Sequence, residues 1–354
     1  MDIRRFIQIL HKIRNNGVYK THVYHQNKQD IVLFDPGNHS VFMTYDFFNT
    51  PEGLRLIEIN TNGGGFLVSM LLHSFCSSVD ESERVTITNM IKEMFLNEHF
   101  LATGKKELKT VVIVDENPET QKLYFEFLGF QKLFHSFGWT TEICDPKDLY
   151  FETDNKRLKT KSGLNVDLVY NRHCDFLFED DTLSHLKTAY LSGAICLTPN
   201  PHDYALLADK QRLIDLSHTD FLHSLNLSVS EVALMQKLIP QALSMDDLSL
   251  SDIHKHKGDY FFKPMHSFGS KGVYSGKKMS HKKIDEIYNE PYILQPLFSP
   301  KTIHIPGIES SFKEEIRVFS YMAEAQLFAA RLYRGQAFNM KEQGGGFAAI
   351  HIEN

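Results

Sequence analysis

Cysteine is scarce and scattered in this chain: Cys76, Cys144, Cys174 and Cys196 are the only four among 354 residues. None forms a CxxC pair, so neither a disulfide framework nor a cysteine zinc site is encoded. Long apolar runs are missing as well, and no stretch approaches the roughly 20 residues that span a bilayer. The opening MDIRRFIQILHKIRNN carries charges through its middle, whereas a secretory signal keeps an uninterrupted apolar region. A soluble, cytoplasmic protein with no membrane role is expected. Basic residues are not in excess. The net charge of -6 argues against nucleic acid as the main partner, since a phosphate-binding face makes a domain basic. The basic runs HKHK (254–257) and GKKMSHKK (276–283) read as solvated surface that could still meet a small anion. Repeats and low-complexity tracts are absent, and the 18 histidines form no HExxH pattern.

What remains is an ordinary globular composition, 42% hydrophobic and 23% charged, with enough length for about two or three domains. Residues 1–65 read as a helix followed by strands at THVYHQ, DIVLF, SVFMTYDF and LRLIEIN. The turn NTPEG (49–53) joins the last two as a hairpin. Residues 66–108 form a helical connector. From 109, a buried strand, a helix of about 20 residues and a second strand make a βαβ signature with a parallel sheet. VDLVYNRHCDF and GAICLTPNP extend that pattern to residue 200. Residues 201–354 carry the helical DYALLADKQRLIDLSH and strands at DYFFKPM, GVYSG, YILQPLF, EEIRVFSYMA and EAQLFAARLY. The fold class is α/β.

The most informative stretch is YFFKPMHSFGSKGVYSG. A strand delivers Lys263, and a loop holding Ser267, Gly269, Ser270 and Gly272 leads to the next strand. Small residues let backbone N–H groups approach an anion, and a strand-end lysine adds a point charge. An ordinary Gly/Ser hairpin with a surface lysine is the alternative. Lys210, at a helix start in LLADKQRL, is a second candidate cation. ILQPLF places Gln295, Pro296 and Leu297 where a strand meets an edge or an exit. Its free backbone groups could pair with an adenine.

Glu58 and Asn60 alternate onto one face of LRLIEIN, and Asp46 lies twelve positions before Glu58 on the partner strand. Counting from the turn, Asp46 falls close to opposite Glu58. Three oxygen donors without His or Cys suit magnesium, shared with nucleotide phosphates. Half-exposed hairpin polars are the alternative, against which the apolar strand context weighs. EEIRVFSYMAEAQLFAARLYRGQAFNMKEQGGG supplies Glu315, Arg317, Arg331 and Asn339, with arginines suited to oxyanion contacts or to cross-strand salt bridges. HCD (173–175) is not a metal triplet, because adjacent strand residues cannot all face one ion. Asn171 and Arg172 end a parallel strand, the edge at which ligands dock in open sheets.

The order of Lys210, FFKP with its Ser/Gly loop, LQP, then EIRVF and AARLY resembles the ATP-grasp superfamily of carboxylate–amine ligases. LIEINTNGG is similar to the Glu-x-Asn metal signature that normally closes that domain, but here it stands about 200 residues before the lysine segments. The chain therefore resembles a circularly permuted ATP-grasp protein of the glutathionylspermidine synthase-like group.

The resemblance implies a grasp fold with a Rossmann-like pre-ATP-grasp domain at 109–200, residues 1–65 completing the C-terminal subdomain. It implies that Lys210, Lys263 and the loop with Ser267, Gly269, Ser270 and Gly272 contact ATP phosphates. Gln295 to Leu297 become the adenine hinge, without the acidic residue many members carry there. Asp46, Glu58 and Asn60 hold Mg2+, Arg317, Arg331 and Asn339 act at the transferring phosphoryl group, and Asn171 and Arg172 touch substrate. The expected activity is an ATP- and Mg-dependent carboxylate–amine ligase. It would join a small-molecule acid and amine through an acyl phosphate, releasing ADP and phosphate. A kinase on the same fold, or a nucleotide-binding regulator without turnover, are the alternatives, and association as a homodimer is left open.

Overall fold

A computed structural model describes residues 2–76, 81–265, 272–305, 307–335 and 345–350. The helices α1 (Asp2–Arg14), α2 (Gly17–Gln26) and α3 (Asp30–Leu33) open the chain, and the hairpin β1 (Met43–Thr50) and β2 (Gly53–Asn60) follows. THVYHQ and DIVLF are thus helical, which corrects the strand reading. Asn16 explains the first: its Oδ1 accepts from the backbone N–H groups of Val18 and Tyr19 and starts a helix. Tyr19 and Val23, one helical turn apart, are then buried together. Packing of that face outweighs the β preference of Thr, Val and Tyr.

The connector holds α4 (Phe66–Cys76) and α5 (Glu81–Thr103). Beyond it, β3 (Thr110–Val114), α6 (Tyr124–Ser136), β4 (Thr140–Cys144), the small hairpin β5 (Leu149–Glu152) and β6 (Arg157–Thr160), β7 (Leu168–Asn171), α7 (Ser184–Leu191) and β8 (Cys196–Thr198) follow. Helix α6 has 13 residues, fewer than the run of apolar residues implied. Strands β4, β3, β7 and β8 form a parallel sheet in that order. Its two central strands, β3 and β7, read TVVIV and LVYN and are buried throughout, as strands covered on both faces require.

A second, antiparallel sheet runs β11 (Tyr274–Ser275), β10 (Tyr260–Pro264), β12 (Tyr292–Pro296), β9 (Leu243–Ser244). It has its own core around Met245, Ile253, Phe262, Ile284 and Leu294.

The third sheet joins both ends of the chain. Strand β13 (Thr302–Ile303) pairs with β14 (Phe312–Tyr321), and β15 (Glu324–Tyr333) and β16 (Gly346–Ala349) follow. The order is β16-β15-β14-β1-β2, so β1 lies antiparallel against β14, more than 250 residues away in sequence. Two clusters hold these layers together. The larger packs α1 and α2 against β1 and the helices after residue 200. The other is aromatic, with Phe42, Phe66, Phe95, Phe130, Phe134 and Tyr170 in mutual ring contact between α4, α5, α6 and the parallel sheet.

Candidate active site

The hairpin register sets Asp46 opposite Glu58 on one side and opposite Arg317 on the other. On β14 and β15, Glu315 faces Arg331. One face of four strands therefore gathers Asp46, Glu58, Asn60, Glu315, Arg317 and Arg331. Asp46 is fully buried. Its Oδ1 accepts from Arg317 Nε at 2.8 Å, and its Oδ2 accepts from Arg317 Nη2 at 2.7 Å. Arg331 Nη2 stands 2.9 Å from the same Oδ2 and donates to Glu315 Oε2 at 2.6 Å. Asn60 Nδ2 adds a contact of 3.3 Å to Asp46 Oδ2. Burial alone would raise the Asp46 carboxyl, but the two guanidinium groups outweigh it and hold it below the usual range. Burial pushes Glu315 up, against the pull of Arg331.

Lys263 and Gln295 approach from the second sheet. Between Asp46 and Phe47 the pairing with β2 shifts by one residue, leaving Ile57 as the extra residue of a bulge. Strand β2 is also the edge of its sheet, so it has carbonyls to offer. Lys263 Nζ donates to Ile57 O at 3.1 Å and Gln295 Nε2 to Leu56 O at 3.0 Å. Those two bonds stitch the sheets together beside the acidic face. Burial brings the Lys263 ammonium down to about 8, opposed by Glu58 and reinforced by Lys210. Burial lowers Lys210 as well, and Glu58 counteracts it. Both lysines therefore feel the charge of Glu58.

Not every expected contact is arranged as the sequence implied. The Leu297 N–H donates to Asp259 O at 2.7 Å, and the Gln295 amide is committed to Leu56. The hinge reading loses that backbone donor. Strand β12 is also not an edge over Ile293 and Leu294, which pair with β9. Gly272 has φ +71, a turn conformation suited to glycine, while Ser267, Gly269, Ser270 and Asn339 lie outside the described residues. Among the described residues no group of three or more His, Cys, Asp or Glu side chains is placed to hold a metal ion; the proposed trio includes an asparagine.

Asn171 and Arg172 sit at the carboxyl end of β7, next to the end of β3. The link from the hairpin to this sheet is the turn Gly63–Gly65. Arg172 Nη1 donates to Gly63 O at 3.4 Å, and Arg317 Nη1 to Gly64 O at 3.0 Å. Asn62 Nδ2 donates to the carbonyls of Arg172 and His173. Glu126 of α6 completes the joint, accepting from the Gly65 and Leu67 N–H groups at 2.9 Å each. Asn171 is turned inward, its Oδ1 accepting from the His173 N–H at 3.1 Å. Asp115, at the end of β3, is buried and pushed up to about 7 by that burial, despite Arg172 nearby. Sequence reasoning passed over Glu126 and Asp115. The signal for the first is a lone carboxylate inside the apolar YFEFLGF, and for the second an acid directly after TVVIV.

No protein-family model and no curated protein matches the sequence. Solved structures do match. A protein from Methylobacillus flagellatus KT, provisionally described as a gamma-glutamylcysteine synthetase, superposes with TM-score 0.51 at 10% identity, covering 94% of this chain and 82% of its own. The ATP-grasp ligase PsnB matches at TM-score 0.32 and 12% identity over 69% of this chain and 88% of its own. It was solved with Mg and ADP and with AMPPNP. The first likeness shows a fold shared across nearly the whole chain.

Proposed function

We propose that the chain is a circularly permuted ATP-grasp enzyme, an ATP- and Mg2+-dependent ligase that joins a small carboxylic acid to an amine through an acyl phosphate. The observation that carries the reading is the register around Asp46. It draws an acid pair from the N-terminal hairpin and two arginines from the C-terminal strands onto one face, with Lys263 and Lys210 beside it. A phosphoryl-transfer site needs this mixture, because catalysis there is mostly positioning and charge neutralisation.

Asp46, Glu58 and Asn60 would hold the magnesium ion, a donor set of oxygens that fits a hard cation. The ion would neutralise phosphate charge. Lys210, Lys263 and the loop ending at Gly272, with Ser267, Gly269 and Ser270 before it, would hold the phosphates. The adenine would lie along Gln295–Leu297 and use carbonyls there, since the Leu297 N–H is committed. Arg317 and Arg331, with Asn339, would meet the transferring phosphoryl group, and Arg172 with Asn171 the acid substrate. The turn Gly63–Gly65, held by Glu126, would keep these two arginine groups in register.

Incubation with ATP, Mg2+, a panel of acids and hydroxylamine tests the proposal. The expected result is a hydroxamate with release of ADP and phosphate. AMP and pyrophosphate, or a stable phosphate ester on a hydroxyl, would replace the ligase reading with an adenylating or kinase activity.

A further inference from the structure

We infer that the site binds its divalent cation weakly alone and tightly in company with a polyphosphate, because Arg317 and Arg331 already hold the carboxylate that the cation needs. The inference rests on the metal–nucleotide reading above. Four donors converge on the two oxygens of Asp46: Arg317 Nε and Nη2, Arg331 Nη2 and Asn60 Nδ2. Two of the donor groups are guanidinium ions, and charge-assisted bonds of this kind are the stronger class. A bare cation must break them without offering the arginines another acceptor.

The surrounding charge argues the same way. Lys210, Lys263, Arg317 and Arg331 supply four positive groups against the three carboxylates of Asp46, Glu58 and Glu315. A lone dication would enter a face that is already cationic by one charge. Like-charge approach in a partly dehydrated site is unfavourable. A nucleoside triphosphate reverses both terms. Its phosphate oxygens give the two guanidinium forks a matching bidentate acceptor, and its negative charge exceeds that of the cation it carries. As the arginines turn to phosphate, Asp46 becomes available to the metal. The coupling is reciprocal, so the cation must strengthen polyphosphate binding by the same factor.

The decisive measurement is binding of Mn2+ alone to the full chain, followed by electron paramagnetic resonance of the free ion. Arg331→Gln removes one cation from Asp46 and should tighten Mn2+ binding about tenfold or more, at the low end of typical couplings. The gain should vanish in the double variant Asp46→Asn/Arg331→Gln. Equal Mn2+ affinity in wild type and a folded Arg331→Gln, judged by circular dichroism, overturns the inference. The wild type provides a test that needs no variant. A non-hydrolysable ATP analogue should tighten protein-bound Mn2+ by roughly 5–150-fold beyond the analogue's own chelation. Independent binding of Mn2+ and analogue overturns the coupling and leaves the ligase reading standing. Failure of the analogue to bind at all, with or without Mn2+, overturns the nucleotide reading itself.

Discussion

Lys263 gives the sharpest handle on the proposed nucleotide site, because its protonation is poised close to working pH. In the folded chain burial holds it at about 8, well below the 10.5 of a free lysine. That is on the order of 3 kcal/mol of bias against the charged form. A phosphate beside Nζ restores the charge, so binding above pH 8 must draw a proton from solution. With a midpoint at about 8, uptake should rise from about 0.1 proton per nucleotide at pH 7 to about 0.8 at pH 8.5. Affinity for ATP should fall as the pH rises through 8. Titration calorimetry in two buffers of different ionisation enthalpy, with magnesium in excess, reads the uptake directly. Lys263→Arg stays charged at every accessible pH and should show no rise. Uptake that is flat with pH in the wild type, or equal in both proteins, would refute the argument. The sign extends to stability. Between about 8 and 10.5 the unfolded chain binds more protons at this lysine, so its contribution to stability rises with pH across that window.

Glu98 of α5 predicts the opposite slope at lower pH. It accepts from Asn38, from the His39 N–H and from Tyr321, yet burial still pushes it up to about 7 from 4.5. The folded chain therefore holds the extra proton between these values, and urea-derived stability should fall by up to about 3 kcal/mol as the pH rises through them. Glu98→Gln should flatten that slope; an unchanged slope would locate the titration elsewhere. Gly65 has φ +93, and an added Cβ would lie 2.4 Å from the Phe347 ring. Gly65→Ala should cost about 1–3 kcal/mol and loosen the joint between Arg172 and Arg317. A thermal melt within experimental scatter of the wild type would show that the turn relaxes freely.

Much of the layout of this charged face was legible in the sequence because its determinants are local. Alternation put Glu58 and Asn60 on one face of LRLIEIN, and the turn NTPEG placed Asp46 within one residue of the position opposite Glu58, the pairing itself being set by the bulge at Ile57. Strand and helix periods likewise exposed the parallel sheet from TVVIV to AICLT. Where local preference was weak, packing decided. THVYHQ is rich in β formers but is helical, since Asn16 caps it and Tyr19 and Val23 find a core. The family resemblance placed residues 1–65 with the C-terminal strands, and the shared sheet agrees with it; only the tertiary structure could show that β1 is the strand that meets β14, because nothing in a strand's own residues names a partner so far along the chain. The bulge at Ile57 was equally hidden. It depends on the twist of the assembled sheet, and it presents the edge carbonyls of β2 to Lys263 and Gln295. The sequence determined which charges this protein carries and on which strand faces they lie. Three-dimensional packing alone determined that two arginines grip Asp46, because an ion pair needs distance and burial, which one-dimensional order does not contain.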